Sequence, residues 1–164
     1  MSRPFAALAA LLLMAALLQG CAGAEAGTQS PDFTVRIVGG ADGSWTGRTV
    51  TLSQLRGRPV VIHFTASWCN ACKRIFDAVT TGYADVFVMG VGVMDRKPNI
   101  VDFVRSQGLS APVGYDEDGS IARDYGVNTL PLTVFIDRDG VLVERVLGVV
   151  EGERLRSIME RISA

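Results

Sequence analysis

From Phe33 to Val38 apolar and polar residues alternate, and a period of two predicts a strand with one covered face. Gly39 to Ser44 is rich in turn formers, and Arg48-Thr49-Val50-Thr51 returns as a second short strand. Thr51 to Gly57 reads as a brief helical turn ended by the glycine, while Trp45 is expected to cover the edge of this extension. Val60 to Phe64 is apolar without alternation except at His63, the pattern of a central strand covered on both faces. Asp85 to Val93 repeats that pattern, with Gly90 and Gly92 where a neighbouring backbone or helix comes close. Helical spacing appears over about Asn70–Thr81, over Pro98–Gln107 with Gly108 as its stop, and over Ser120–Tyr125, closed by Gly126. It returns over Glu151–Ile162, where Leu155, Ile158, Met159 and Ile162 share one face. Ala111-Pro112-Val113 is a short extended piece. Leu132–Ile136 and Val141–Leu147 are two strands joined by Asp137-Arg138-Asp139-Gly140, a hairpin signal. Strands alternating with helices, then a strand pair and a last helix, imply an α/β fold of three layers with a mixed central sheet.

The first twenty residues stand apart from this domain. Met1-Ser2-Arg3 carries one positive charge, and Phe5 to Leu18 is an apolar run long enough for a signal segment but short for a membrane span. It ends in Leu18-Gln19-Gly20-Cys21, which resembles the lipobox of bacterial lipoproteins. That resemblance implies cleavage before Cys21, lipid on its sulfur, and residues 21–30 as a Gly/Ala/Ser-type tether. An ordinary secretory signal is the alternative. With 164 residues the remainder suits one domain, 31–164, and a formal net charge of -1 gives no reason to expect nucleic acid as a partner.

Candidate chemistry gathers at Trp68-Cys69-Asn70-Ala71-Cys72-Lys73, between a predicted central strand and a predicted helix. Zinc would need two further soft ligands, and the chain has one histidine and, outside this motif, one cysteine. A purely structural disulfide more often joins distant segments, because a loop this small restrains little of the unfolded chain. A redox dithiol remains the leading reading, with Cys69 placed at a helix N-terminus, where unpaired N–H groups favour the thiolate. If Cys21 is lipidated, the odd count of three cysteines closes on Cys69 and Cys72.

The segment Phe64 to Lys73 resembles the active-site segment of the thioredoxin superfamily, and Thr129-Leu130-Pro131 followed by Leu132 to Gly140 resembles its cis-proline strand and hairpin. The N-terminal β extension, Asp32 to Val60, and the central insert, Asp116 to Val127, are similar to the TlpA/ResA-like branch. The resemblance implies a thioredoxin fold in which Cys69 is the exposed nucleophile and Cys72 the buried resolving thiol. It implies a cis Pro131 that sets the Leu130 backbone against the dithiol for pairing with substrate, and a Trp68 that shields the disulfide. His63 stands where thioredoxins carry a buried acid. It is either a proton relay for Cys72 or a neutral histidine hydrogen-bonded in the core. Asn70-Ala71 lacks the proline common in this motif, and Asp77 stands where many relatives kink the helix with proline. The segment Lys73 to Ala84 is also short for the branch, so a straighter, truncated helix is expected, and the reduction potential is left open.

These readings converge on an extracytoplasmic thiol-disulfide oxidoreductase anchored to the cell membrane and using no cofactor or metal. Its expected partners are a disulfide-containing exported protein and a membrane electron donor such as a DsbD/CcdA-like carrier. Reduction is the favoured direction, with cytochrome c maturation as one setting. The alternatives are a disulfide oxidant or isomerase, a peroxidase-like redoxin, and a metal-binding lipoprotein.

Overall fold

The computed structural model describes residues 23–40 and 46–164; the signal segment, Cys21 and Trp45 lie outside the described residues. The strands are β1 (Thr34–Gly39), β2 (Thr49–Thr51), β3 (Val60–Thr65), β4 (Phe87–Gly92), β5 (Val113–Tyr115), β6 (Leu132–Ile136) and β7 (Leu142–Leu147). The helices are α1 (Cys72–Thr80), α2 (Lys97–Gln107), α3 (Ser120–Asp124) and α4 (Gly152–Ser163), with a 3₁₀ turn at Leu52–Leu55. One sheet runs in the order β2-β1-β5-β4-β3-β6-β7. β3 is parallel to β4 and antiparallel to β6, so the sheet is mixed, as the element order implies. The β1–β2 extension joins through β1, which pairs antiparallel with β5.

The continuous apolar runs have a simple cause. Every residue of β3, β4 and β6 is buried, because helices cover both faces of the sheet. Val61, Val88 and Phe135 point into the cluster that holds Ile75, Phe76 and Val79 of α1 and Leu155, Ile158, Met159 and Ile162 of α4. Val60, Ile62 and Phe64 point the other way, towards Ile121 and Tyr125 at α3. Two strand glycines admit helices at close range. A Cβ on Gly90 would lie 2.4 Å from Phe76 Cζ of α1, and one on Gly92 would lie 2.8 Å from Ile100 Cγ2 of α2. Gly108 takes a left-handed φ of 58° and its N–H returns to the Arg105 carbonyl, which stops α2 where the sequence predicts.

Two expectations need correction. Residues 23–30 are not a free tether. β7 is an edge strand whose outer polar groups need partners, and Leu142 N–H donates to the Thr28 carbonyl (2.9 Å) while Gly27 N–H donates to that of Leu142 (2.7 Å). Ser30 N–H reaches the Gly140 carbonyl, Ala24 N–H reaches that of Asp124, and Gly23 lies so close to Gly126 that a Cβ would meet its Cα at 2.6 Å. The segment is a strap across the domain. The second correction concerns the dithiol helix, which begins at Cys72 rather than near Asn70. Cys72 N–H closes a tight turn on the Cys69 carbonyl (3.1 Å), and the Ala71 carbonyl accepts from Ile75 N–H, so Cys69 precedes the helix rather than opening it. With nine residues, α1 is short, as expected.

Candidate active site

The functional loops meet at one end of the sheet, beyond the C-terminal ends of the parallel strands β3 and β4, where open α/β sheets form clefts. β3 ends at Thr65, and Ala66–Cys69 forms a turn closed by Cys69 N–H donating to the Ala66 carbonyl (3.0 Å). Cys69 and Cys72 form a disulfide with Cα atoms 5.5 Å apart. Cys72 is fully buried, and its Sγ lies 3.9 Å from the Phe64 carbonyl oxygen. Cys69, expected to be exposed, keeps 6% of its surface, so the access that exists belongs to it. Trp68 is 55% exposed and its indole N–H donates to the Met94 carbonyl (3.4 Å).

The Leu130–Pro131 peptide bond is cis, as the resemblance implies. Leu130 packs on the same buried cluster as both cysteines, and the register Phe64↔Leu132 sets the start of β6 beside the end of β3. Gly148 N–H donates to the Pro131 carbonyl (2.9 Å), tying this loop to the end of β7. Trp68, Met94 and Leu147 are the large apolar residues standing exposed among the described residues, and all three lie at this end.

His63 is fully buried on the face that α1 covers, with its ring 4.8 Å from that of Phe76, edge to face. Its Nδ1 shares a 2.9 Å hydrogen bond with Thr133 Oγ1, the residue directly across on β6. Burial pushes its pKa down to about 3, so the imidazole is neutral at ordinary pH. Its hydrogen bond goes to Thr133 and not to Cys72. Nε2 of His63 and Oγ1 of Thr65 are buried without a hydrogen-bond partner among the described residues.

Three contributors were not singled out from sequence. Thr133 is a lone polar residue inside the apolar run Leu132–Ile136, a pattern that asks for a partner on the neighbouring strand. Met94 has a left-handed φ of 56° and receives the Trp68 indole. Asp95 follows the end of a parallel strand, and its Oδ2 accepts the Ser67 N–H at 2.8 Å.

Comparison with known proteins agrees with this geometry. A family model described as the AhpC/TSA family matches residues 26–145. The thiol-disulfide oxidoreductase ResA of Bacillus subtilis is 28% identical over 141 residues, covering 83% of this chain and 75% of that protein. Among solved structures, a putative protein disulfide isomerase from Bacteroides thetaiotaomicron superposes with a TM-score of 0.69 at 28% identity, over 85% of this chain and 88% of that one. The pneumococcal exposed lipoprotein thioredoxin from Streptococcus pneumoniae gives 0.66 at 26% identity, over 80% and 99%. With its closed Cys-x-x-Cys at the end of the mixed sheet, the chain belongs to the AhpC/TSA family and is a thiol-disulfide oxidoreductase of thioredoxin fold.

Proposed function

We propose that the protein reduces disulfides of exported proteins from the outer face of the cell membrane, with Cys69 as nucleophile and Cys72 as resolving thiol. The observation that carries the roles is the asymmetry of the dithiol: Cys72 is sealed beneath the site and Cys69 keeps the remaining access. In the reduced protein the Cys69 thiolate attacks one sulfur of a substrate disulfide, forming a mixed disulfide and expelling the first substrate thiolate. Cys72, having lost its proton, attacks Cys69 Sγ, restores the Cys69–Cys72 bond and expels the second. Two electrons and two protons pass to the substrate. A membrane dithiol carrier of the DsbD/CcdA-like kind then reduces the protein by the reverse exchange.

Trp68, Met94 and Leu147 around the dithiol supply an apolar surface suited to a polypeptide substrate. Leu130, against the same cluster, offers its backbone to an extended segment, with Pro131 holding the loop. His63 supports the site as a neutral, positioned imidazole. Lipid on Cys21 completes the reading, and the strap makes it specific. Ala22 alone separates Cys21 from the docked Gly23, so the leash spans at most about 7 Å. The domain would be held near the bilayer in a limited range of orientations. An apocytochrome c is one substrate consistent with this placement.

Trapping tests the roles. Cys72→Ala should accumulate mixed disulfides on Cys69, whereas partners recovered with Cys69→Ala and none with Cys72→Ala would reverse the assignment. Equilibration with glutathione tests direction. A potential nearer thioredoxin's, about -270 mV, supports a reductant, and one near DsbA's, about -120 mV, makes it an oxidant. Loss of radiolabelled palmitate in Cys21→Ser tests the anchor.

A further inference from the structure

Two loops meet over the dithiol, and the bonds between them are unusually complete. Val93 N–H donates to the Thr65 carbonyl (2.9 Å), and the Trp68 indole donates to the Met94 carbonyl. Between these two links, Ser67 N–H donates to Asp95 Oδ2 (2.8 Å). Oδ1 of Asp95 accepts Arg96 N–H (2.7 Å) and Asn99 Nδ2–H (2.8 Å), so both carboxylate oxygens are engaged. The backbone is fastened as well, since the Tyr115 hydroxyl donates to the Asp95 carbonyl (2.9 Å). The carboxylate thus sits at the base of the Ala66–Cys69 turn, held from α2 and β5 and gripping the amide two residues before Cys69.

The geometry points to Asp95 as a positioning residue of the redox site: its carboxylate fixes the turn that presents Cys69, and its negative charge disfavours ionised Cys69, biasing the dithiol towards giving up its electrons. This rests on the reading of Cys69 as the nucleophile. Burial pushes the Asp95 carboxyl towards neutrality, but the hydrogen bonds from Ser67, Asn99 and Arg96 outweigh it and hold the group below the ordinary carboxylate range. It is therefore an anion at neutral pH. Other charges on the surrounding elements are partnered among themselves: Lys73 with Asp77 along α1, Arg74 with Glu151 ahead of α4, and Lys97 of α2 with Glu117. Arg96 adjoins Asp95 in the chain, and His63 beneath the site is neutral. Asp95 is the charged side chain that bonds to the turn itself. A like charge disfavours a thiolate, and a dithiol whose reduced form lacks that stabilisation is the stronger reductant.

The test uses the full chain, reduced, with wild type, Asp95→Asn, Asp95→Ala and Asp95→Glu. Asparagine keeps an oxygen to accept Ser67 N–H but removes the charge, alanine removes both, and glutamate restores the charge. Readouts are the pH midpoint of Cys69 alkylation by iodoacetamide, the dithiol–disulfide ratio against glutathione, and hydrogen exchange at the Ser67 amide. Acting over a separation on the order of 10 Å, in a dielectric between the protein surface and bulk water, a unit charge changes the ionisation constant of a thiol roughly 2- to 15-fold. The alkylation midpoint should therefore fall in Asp95→Asn, the glutathione equilibrium read at a pH above both midpoints should move to dithiol by a similar factor, and Ser67 protection should persist. Asp95→Ala should also lose that protection, and Asp95→Glu should return the midpoint towards wild type. An unmoved midpoint and glutathione ratio in Asp95→Asn, with Cys69 still the labelled thiol, overturns the proposal and leaves the nucleophile assignment standing. Should Asp95→Ala fail to fold, the asparagine variant still decides. Label falling on Cys72 in wild type overturns the nucleophile assignment instead.

Discussion

His63 gives the most direct physical test of the site, through pH rather than through chemistry. Burial holds its pKa at about 3 in the folded protein, against about 6.5 in the unfolded chain. The depressed value sets the sign. Above pH 6.5 the imidazole is neutral in both states and contributes no pH dependence. As pH falls below 6.5 the unfolded chain gains a proton that the folded protein refuses, so stability is lost, and the loss levels off only near pH 3. At about 1.4 kcal/mol per pKa unit, lowering the pH from 7 to 5.5 removes on the order of 1 kcal/mol and lowering it to 4.5 removes about 2–3 kcal/mol. Carboxylates held below their ordinary range, such as Asp32 and Asp95, add losses of their own as pH falls. A difference measurement cancels them. Urea unfolding of the oxidised wild type and of His63→Asn at pH 7, 5.5 and 4.5 should show the wild type losing about 2–3 kcal/mol more than the variant by pH 4.5, whatever the offset at pH 7. A gap constant to within about 0.5 kcal/mol would show that His63 is not held neutral by burial.

Three further perturbations probe what surrounds it. Gly90→Ala puts a methyl 2.4 Å from Phe76 Cζ, and overpacking at so well-filled a place should cost about 1–3 kcal/mol in urea unfolding; an unchanged midpoint would mean that α1 is free to shift. Thr133→Val leaves His63 Nδ1 buried without its hydroxyl and should cost about 1–3 kcal/mol, with the potential of the dithiol as a second readout. Gly23→Val drives a side chain into Gly126, and the amide of Leu142, which donates to Thr28, should then exchange faster than in wild type if the strap lifts as a unit. Equal exchange would show that the strap's two ends act independently.

The central layer and its helices were legible because burial on both faces leaves a plain trace. Val60–Phe64 and Leu132–Ile136 could not alternate, and Leu155, Ile158, Met159 and Ile162 recur at helical spacing. The dithiol was legible because its residue types and spacing are local in the chain. Asp95 and Thr133 were not, since each acts through a neighbour far away in sequence: Ser67 for one, His63 for the other. Strand register creates those pairs, and one sequence fixes register poorly. The strap leaves no trace in the sequence for a related reason. Gly23 to Ser30 has the composition of a flexible linker, yet its backbone groups find the unpaired outer edge of β7, and hydrogen bonding of that kind asks little of side chains.

A redox site of this kind must keep its fold while its own covalent bond opens and closes at every turnover. Magnitudes say that it does. Closing a loop of about four residues restrains little of the unfolded chain, on the order of 2 kcal/mol in the chain-entropy account. Docking of α1 rests on Ile75, Phe76 and Val79, all buried against the sheet, and burying each contributes about 1.5–3 kcal/mol. Together they exceed the cross-link severalfold on that scale, even after allowing for a compact unfolded chain. The helix therefore stays in place when the bond opens. Bonds between the two loops are separate from it too: Ser67 to Asp95, Trp68 to Met94 and Val93 to Thr65 involve neither sulfur. Reduction thus releases two thiols into a setting already built for them, and what tunes their ionisation is the fixed charge and burial around the turn rather than any rearrangement of the fold.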